Sequence, residues 1–165
     1  MIAGTRDALS NEEPLRAAIG PRADYYLRHW GAMDAKGKSY DWNWAACFLS
    51  VFWFAYRKMW GPMAAMGLVY VVASPLLDPA NRMLVKIVVT ALIGLSFVTG
   101  GYGNHLYRRQ VERIVAETAG PDEEAARARA AARGGVSLAA ALIAVVGLAL
   151  LSAVAGMIPA VLAHG

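Results

Sequence analysis

The sequence predicts an all-α membrane protein with N-terminal amphipathic helices, one interfacial or half-inserted helix and three transmembrane helices. Three observations carry that prediction. Of 165 residues, 58% are hydrophobic, above the roughly 45–50% usual in soluble domains. The excess is concentrated in blocks at 44–56, 62–77, 83–101 and 136–163, each apolar on all sides. A soluble helix keeps a polar face, so this pattern suits lipid. Finally, Lys and Arg are distributed very unevenly among the segments that join the blocks.

The first forty residues are polar, and nothing in them has the apolar core and cleavage site of a signal peptide. Ser10 and Glu13 have the spacing of a capping box, and Pro14 suits an early helical position. A short helix to about Ala18 is expected, closed by Gly20-Pro21. From Arg22 to Ala35, Tyr26, Leu27, Trp30 and Met33 recur at helical spacing, predicting an amphipathic helix before the Lys36-Gly37-Lys38-Ser39 loop.

The uncharged run Trp44–Tyr56 would measure about 20 Å as a helix, against a hydrocarbon thickness of about 30 Å. Its aromatic residues favour the membrane–water boundary. It is read as one helix lying in, or dipping into, a single leaflet. Gly61-Pro62 opens a short first span, Met63–Leu77, and Pro75, Asp78 and Pro79 turn the chain. Met83 to about Gly100 is the second span, with Lys86 snorkelling from its first turn. Gly100-Gly101-Tyr102-Gly103 is glycine-rich and, with Asn104, is expected to terminate that span.

Beyond it, Leu106, Tyr107, Val111, Ile114 and Val115 share one face of a polar segment that Gly120-Pro121 breaks. Asp122-Glu123-Glu124 starts another helix, and Arg127, Arg129 and Arg133 suit its C-terminal dipole. Gly134-Gly135 interrupts the chain before the last span, Val136–Leu162, where Pro159 is placed to kink or finish it. The organisation is therefore 1–41 N-terminal helices, 42–60 interfacial aromatic helix, 61–101 two-span hairpin, 102–134 basic helical linker and 135–165 C-terminal span.

If 44–56 does not cross, Arg6, Arg16, Arg22, Arg28, Lys36, Lys38, Arg57, Lys58, Arg108, Arg109, Arg113, Arg127, Arg129 and Arg133 share one side, and only Arg82 and Lys86 lie opposite. The positive-inside rule then predicts a bacterial inner-membrane protein with a cytoplasmic N-terminus and a periplasmic C-terminus. A crossing at 44–56 would split the cations evenly and break the rule.

Three stretches carry a likeness. They are Tyr25-Tyr26-Leu27-Arg28-His29-Trp30, then Trp42-Asn43-Trp44-Ala45-Ala46-Cys47-Phe48, and Trp53-Phe54-Ala55-Tyr56-Arg57-Lys58-Met59-Trp60. Followed by two spans and closed by Gly103-Asn104-His105-Leu106-Tyr107, they resemble a family of small bacterial inner-membrane proteins of unknown function, DUF2628, over roughly residues 22–115. Cys47 stands where that family usually has Phe. The resemblance implies a membrane location and no particular activity. The Arg/Ala-rich linker and the last span lie outside it.

Candidate chemistry is sparse. Cys47 is the single cysteine, which excludes an intramolecular disulfide or a cysteine metal cluster. His29 and His105 would have to meet at matched depth to hold haem or a metal, and the sequence places no carboxylate to orient them. Asn43, Tyr56, Arg57, Lys58, Asn104 and Tyr107 form the most distinctive polar set. They suit a lipid phosphate, although helix capping and anchoring is the stronger reading. Asp41, Asp78, Glu112 and Glu117 accompany no nucleophile motif, and the serines lack a Gly-x-Ser-x-Gly neighbourhood. No enzyme, cofactor, metal site or nucleic-acid partner is expected.

The leading expectation is a non-catalytic accessory or assembly subunit of a larger inner-membrane complex. Trp42, Trp44, Trp53, Tyr56, Arg57, Lys58, Trp60, Arg108 and Arg109 would anchor it at the anionic cytoplasmic leaflet. Ala140, Ala144, Ala149, Ser152, Ala153 and Gly156 would let the last helix approach a membrane-protein partner closely. The alternatives are an anionic-lipid or small-molecule binder, and a redox subunit holding haem between His29 and His105.

Overall fold

A computed structural model describes the backbone of residues 12–164 and side chains as far as residue 157. Ser10, and with it the predicted capping box, lies outside the described residues. The described chain is helical with no strand. Its elements are α1 (12–19), α2 (Ala23–Ala35), α3 (Trp44–Leu49), α4 (Val51–Tyr56), α5 (Trp60–Ala73), a 3-10 turn (Ser74–Leu76), α6 (Arg82–Thr118), α7 (Glu123–Arg133) and α8 (Leu138–His164). They form two compact units, one of residues 1–43 with 101–136 and the other of 44–100 with 137–165.

In the first unit, α2 buries Tyr26, Trp30 and Met33 of the predicted stripe together with Ala23, while Leu27 is half-buried. Against it stands the second half of α6, which buries Asn104, Tyr107, Val111 and Ile114 at alternating three- and four-residue steps. The Tyr26 and Tyr107 rings meet edge-on at 4.7 Å, and Trp30 lies 6.0 Å from Tyr107. Asp122 caps α7 by accepting the Ala125 N–H at 3.0 Å. Arg133 pairs with Glu117 at 3.0 Å and Arg129 donates to the Thr118 carbonyl at 3.2 Å, so α7 folds back on the end of α6. Gly134 touches α1 so closely that a Cβ there would lie 2.1 Å from the Ala18 carbonyl oxygen. The glycine pair is thus a close-approach site where α1 seats.

The second unit is built around α4, which buries Val51, Trp53, Phe54 and Ala55 and packs against α5 and α8. The 3-10 turn also packs on α8. Between α5 and α8 an open apolar gap of about 590 Å³ is lined by small residues including Ala64, Gly67, Ala144 and Gly147.

Three sequence expectations change. The run 44–56 is two six-residue helices, because Ser50 leaves helical geometry between them at φ 40, ψ −110 while keeping its backbone bonds to Ala46 and Phe54. Gly100, Gly101, Gly103 and Asn104 do not terminate the second span, for α6 runs through them as one helix of 37 residues. Glycine costs such a helix about 1 kcal/mol per residue relative to alanine, and the buried Asn104–Ile114 face offsets it. Of the three predicted spans, the short first one is not shown as a spanning helix. Among the described residues, only α6 and α8 are long and apolar enough to cross a membrane, while Trp60–Leu76 is a shorter apolar helix. The 14 residues of α5 reach only about 21 Å, because Ser74 and Pro75 tighten its end into the 3-10 turn.

Within their most apolar windows, 17% of the α6 segment and 6% of the α8 segment are buried. The core helix of a soluble protein would be mostly covered, whereas these present Ile87, Ile93, Phe97, Ile143, Val146 and Leu150 outward. Pro159 does not finish α8, which continues to His164.

Candidate functional site

The motif residues converge on Asn104. Helix α6 carries its side chain inward, fully buried. Its amide nitrogen donates to Asp41 Oδ2 at 3.0 Å, and its side-chain oxygen accepts from Asn43 Nδ2 at 2.8 Å. Its backbone carbonyl accepts the Trp30 indole N–H at 3.2 Å. The Asp41 oxygen that takes the Asn104 bond also pairs with His29 Nδ1, and the Asp41 N–H donates to the Gly101 carbonyl at 3.1 Å. Three sequence-distant pieces, 25–30, 41–43 and 101–107, are thus joined by one polar network within the first unit.

The network fixes an imidazole. Asp41 holds one ring nitrogen of His29, and Tyr25 leans on the ring with centroids 4.2 Å apart. Burial pushes the Tyr25 phenol above its usual pKa, helped by Tyr26 and the Asp41 charge. An oriented histidine of this kind supplies a base or a ligand only if a reacting group or metal stands at its second nitrogen. Among the described residues no cluster of three or more His, Cys, Asp or Glu could hold a metal ion. Nothing among the described contacts brings His105 to His29. Sequence reasoning missed the Asp41–His29 pair because it is made by the fold-back of the loop 36–43, which helical spacing does not encode.

Beside the network lies an open cleft of about 220 Å³, lined by Ala32, Met33, Lys36, Lys38, Tyr40, Asp41, Trp42 and Gly101. Lys38 sits over the Tyr40 ring, 5.3 Å from its centroid.

The expected anchoring residues divide. Trp44, Trp60 and Arg109 are exposed, and Trp42, Tyr56 and Lys58 are half-buried. Trp53 and Arg57 are packed inside the second unit, Arg57 with its guanidinium 5.6 Å from the Tyr56 ring centre. Arg108 is committed to protein partners, Asp34 at 2.6 Å and Glu112 at 2.8 Å. These contacts raise its pKa and hold the Asp34 carboxyl below its usual range, the Arg108 hydrogen bond being the main cause for Asp34. A cation so engaged is poorly placed to grip a headgroup.

The small residues of α8 divide as well. Ala140, Ala144 and Ser152 are half-buried, and both alanines line gaps facing α5. Ala149, Ala153 and Gly156 face outward.

No curated protein and no solved structure matches the chain. Residues 17–113 match the family described as "Protein of unknown function (DUF2628)". That match takes in the whole Asn104 network, from Tyr25 to Tyr107, and stops short of α7 and α8. The chain belongs to the DUF2628 family.

Proposed function

We propose that this protein is a bilayer-embedded, non-catalytic accessory subunit of a bacterial inner-membrane complex. The second unit lies in lipid, the first unit in the cytoplasm, and the outward face of α8 docks on a membrane partner. The observation that carries the reading is the exposure of α8, whose apolar window is only 6% buried. A helix that apolar is stable only against lipid or another protein. The Lys/Arg distribution supports the orientation. The Asn104 network fits a rigid binding module, since most of its polar atoms are spent on one another.

Mild-detergent extraction from native membranes followed by native gels tests this. The expected result is a species well above the mass of the chain, lost when Ala153 and Gly156 are both changed to Leu. A wild-type protein running only as a bare monomer would refute the accessory role.

A further inference from the structure

The cleft beside Asp41 carries charges of both signs on a scale suited to a small ligand. Its volume, about 220 Å³, falls below the roughly 300–1,000 Å³ of pockets for drug-sized molecules. Lys36 and Lys38, both exposed, line the cleft together with Tyr40, Asp41 and Trp42. Of the two Asp41 carboxylate oxygens, Oδ2 takes both His29 and Asn104. Oδ1 has no hydrogen bond from any described residue. Gly101, which ends the apolar block 83–101 of α6, also lines the cleft, and its carbonyl receives the Asp41 N–H. If α6 spans the bilayer, the cleft therefore opens where hydrocarbon gives way to headgroups, the level that aromatic and basic residues favour.

A purely anionic ligand would meet the Asp41 carboxylate, and a purely cationic one the two lysines. A zwitterion satisfies both. We propose that the cleft binds the phosphoethanolamine headgroup of a zwitterionic phospholipid, the phosphate on Lys36 and Lys38 and the ammonium on Asp41. A primary ammonium has N–H groups to donate to Oδ1, whereas a choline headgroup has none. Ethanolamine is thus favoured over choline. The lysines meet the phosphate as point charges, and the Tyr40 and Trp42 rings add apolar wall beneath the headgroup. This inference rests on the membrane-embedded reading and adds a ligand to it.

The test is native mass spectrometry of the full chain in mild detergent. Phosphatidylethanolamine, phosphatidylglycerol and phosphatidylcholine with identical acyl chains are supplied in equal amounts. Wild type should retain phosphatidylethanolamine over each of the others by about tenfold. The double variant Lys36→Gln/Lys38→Gln alters only exposed side chains and should lose that retention. Asp41→Asn should shift selection toward phosphatidylglycerol. Because Asp41 also braces the buried network, the lysine variant is the deciding one. Equal or better retention of phosphatidylglycerol by wild type would overturn the inference, as would undiminished phosphatidylethanolamine on the lysine variant. Soluble O-phosphoethanolamine binding as tightly as the lipid would reassign the cleft to a free phosphoamine and overturn the lipid assignment. Retention of the chain in carbonate-washed membranes, with no headgroup preference, would sink this inference alone. Carbonate extraction of the chain would sink the embedded reading with it.

Discussion

The two units of this chain solve opposite problems. In the first, polar groups are buried and satisfied: Asn43 and Asn104 lie in the interior, tied to Asp41 and Trp30. Its surface carries ion pairs, among them Arg16–Asp24, Arg108–Asp34 and Arg133–Glu117. In the second, large apolar side chains cover the outside, and α4 with Cys47, Met59 and Met66 forms a small core that also holds Ser50 and Arg57. A core that buries hydrogen bonds and a skin of charge suit water. An apolar skin over helices whose backbone bonds close internally suits lipid. The proposed embedding of the second unit rests on this contrast, and α6 contributes residues to both units.

The largest expected effect lies at the centre of the first unit. Asn104→Leu would remove the buried acceptor of Asn43 Nδ2 and one of the two bonds to Asp41 Oδ2, leaving His29 on that oxygen, and would cost about 3 kcal/mol or more. Thermal melting in mild detergent should fall accordingly, and limited proteolysis should open sites within 22–43 and 101–136 before any within 137–157. Equal loss of protection in both units would erase the distinction between them. Gly134→Ala comes next, because its Cβ would collide with the Ala18 carbonyl, an overpacking cost of about 2–3 kcal/mol. Released protection of α1, read by hydrogen exchange, checks it.

In the second unit the informative change goes the other way. Ser50 is buried with a positive φ, and its hydroxyl has no hydrogen-bond partner among the described residues. Ser50→Gly should relieve backbone strain and stabilise by about 1 kcal/mol, visible as a raised melting temperature. An unchanged or lowered midpoint would show that the serine side chain contributes more than its backbone costs.

The smallest effect belongs to the surface of the first unit. Arg108 holds the Asp34 carboxyl below its usual pKa. The folded state therefore keeps that carboxyl ionised to lower pH than the unfolded chain does. The pair's contribution is present above about pH 4 and is lost as pH falls through the depressed value. Asp34→Asn should flatten that acid limb by well under about 1 kcal/mol, since the pair is exposed.

Periodicity made α2 and the inner face of α6 legible, because Tyr26, Trp30, Met33, Tyr107, Val111 and Ile114 are buried for the reason their spacing gives. The two long apolar helices were legible from composition. What spacing does not encode is long-range pairing. His29 meets Asp41 through a loop reversal, and Asn104 reads as a helix stop while acting as a hub. The glycines around it mislead for the same reason, since local propensity yields to the packing of the helix that contains them. Ser50 left no signal in the sequence, because serine is ordinary in an apolar run and its backbone angles are set by the packing of α4. Trp53 and Arg57 read as boundary anchors, yet the fold draws both inside. Composition reports a preference for an interface and leaves open which face of a six-residue helix turns inward.

The proposed division into a lipid-facing and a water-facing unit is tested most directly by single-cysteine labelling. With Cys47 changed to Ala, cysteines are placed at Ile93, Val146 and Arg109, all exposed on the protein. A membrane-impermeant maleimide is then applied to opened membrane fragments. Rapid labelling is expected at position 109, with labelling at 93 and 146 only after the bilayer is dissolved in detergent. Equal labelling at all three positions in intact bilayer would contradict the two-solvent division.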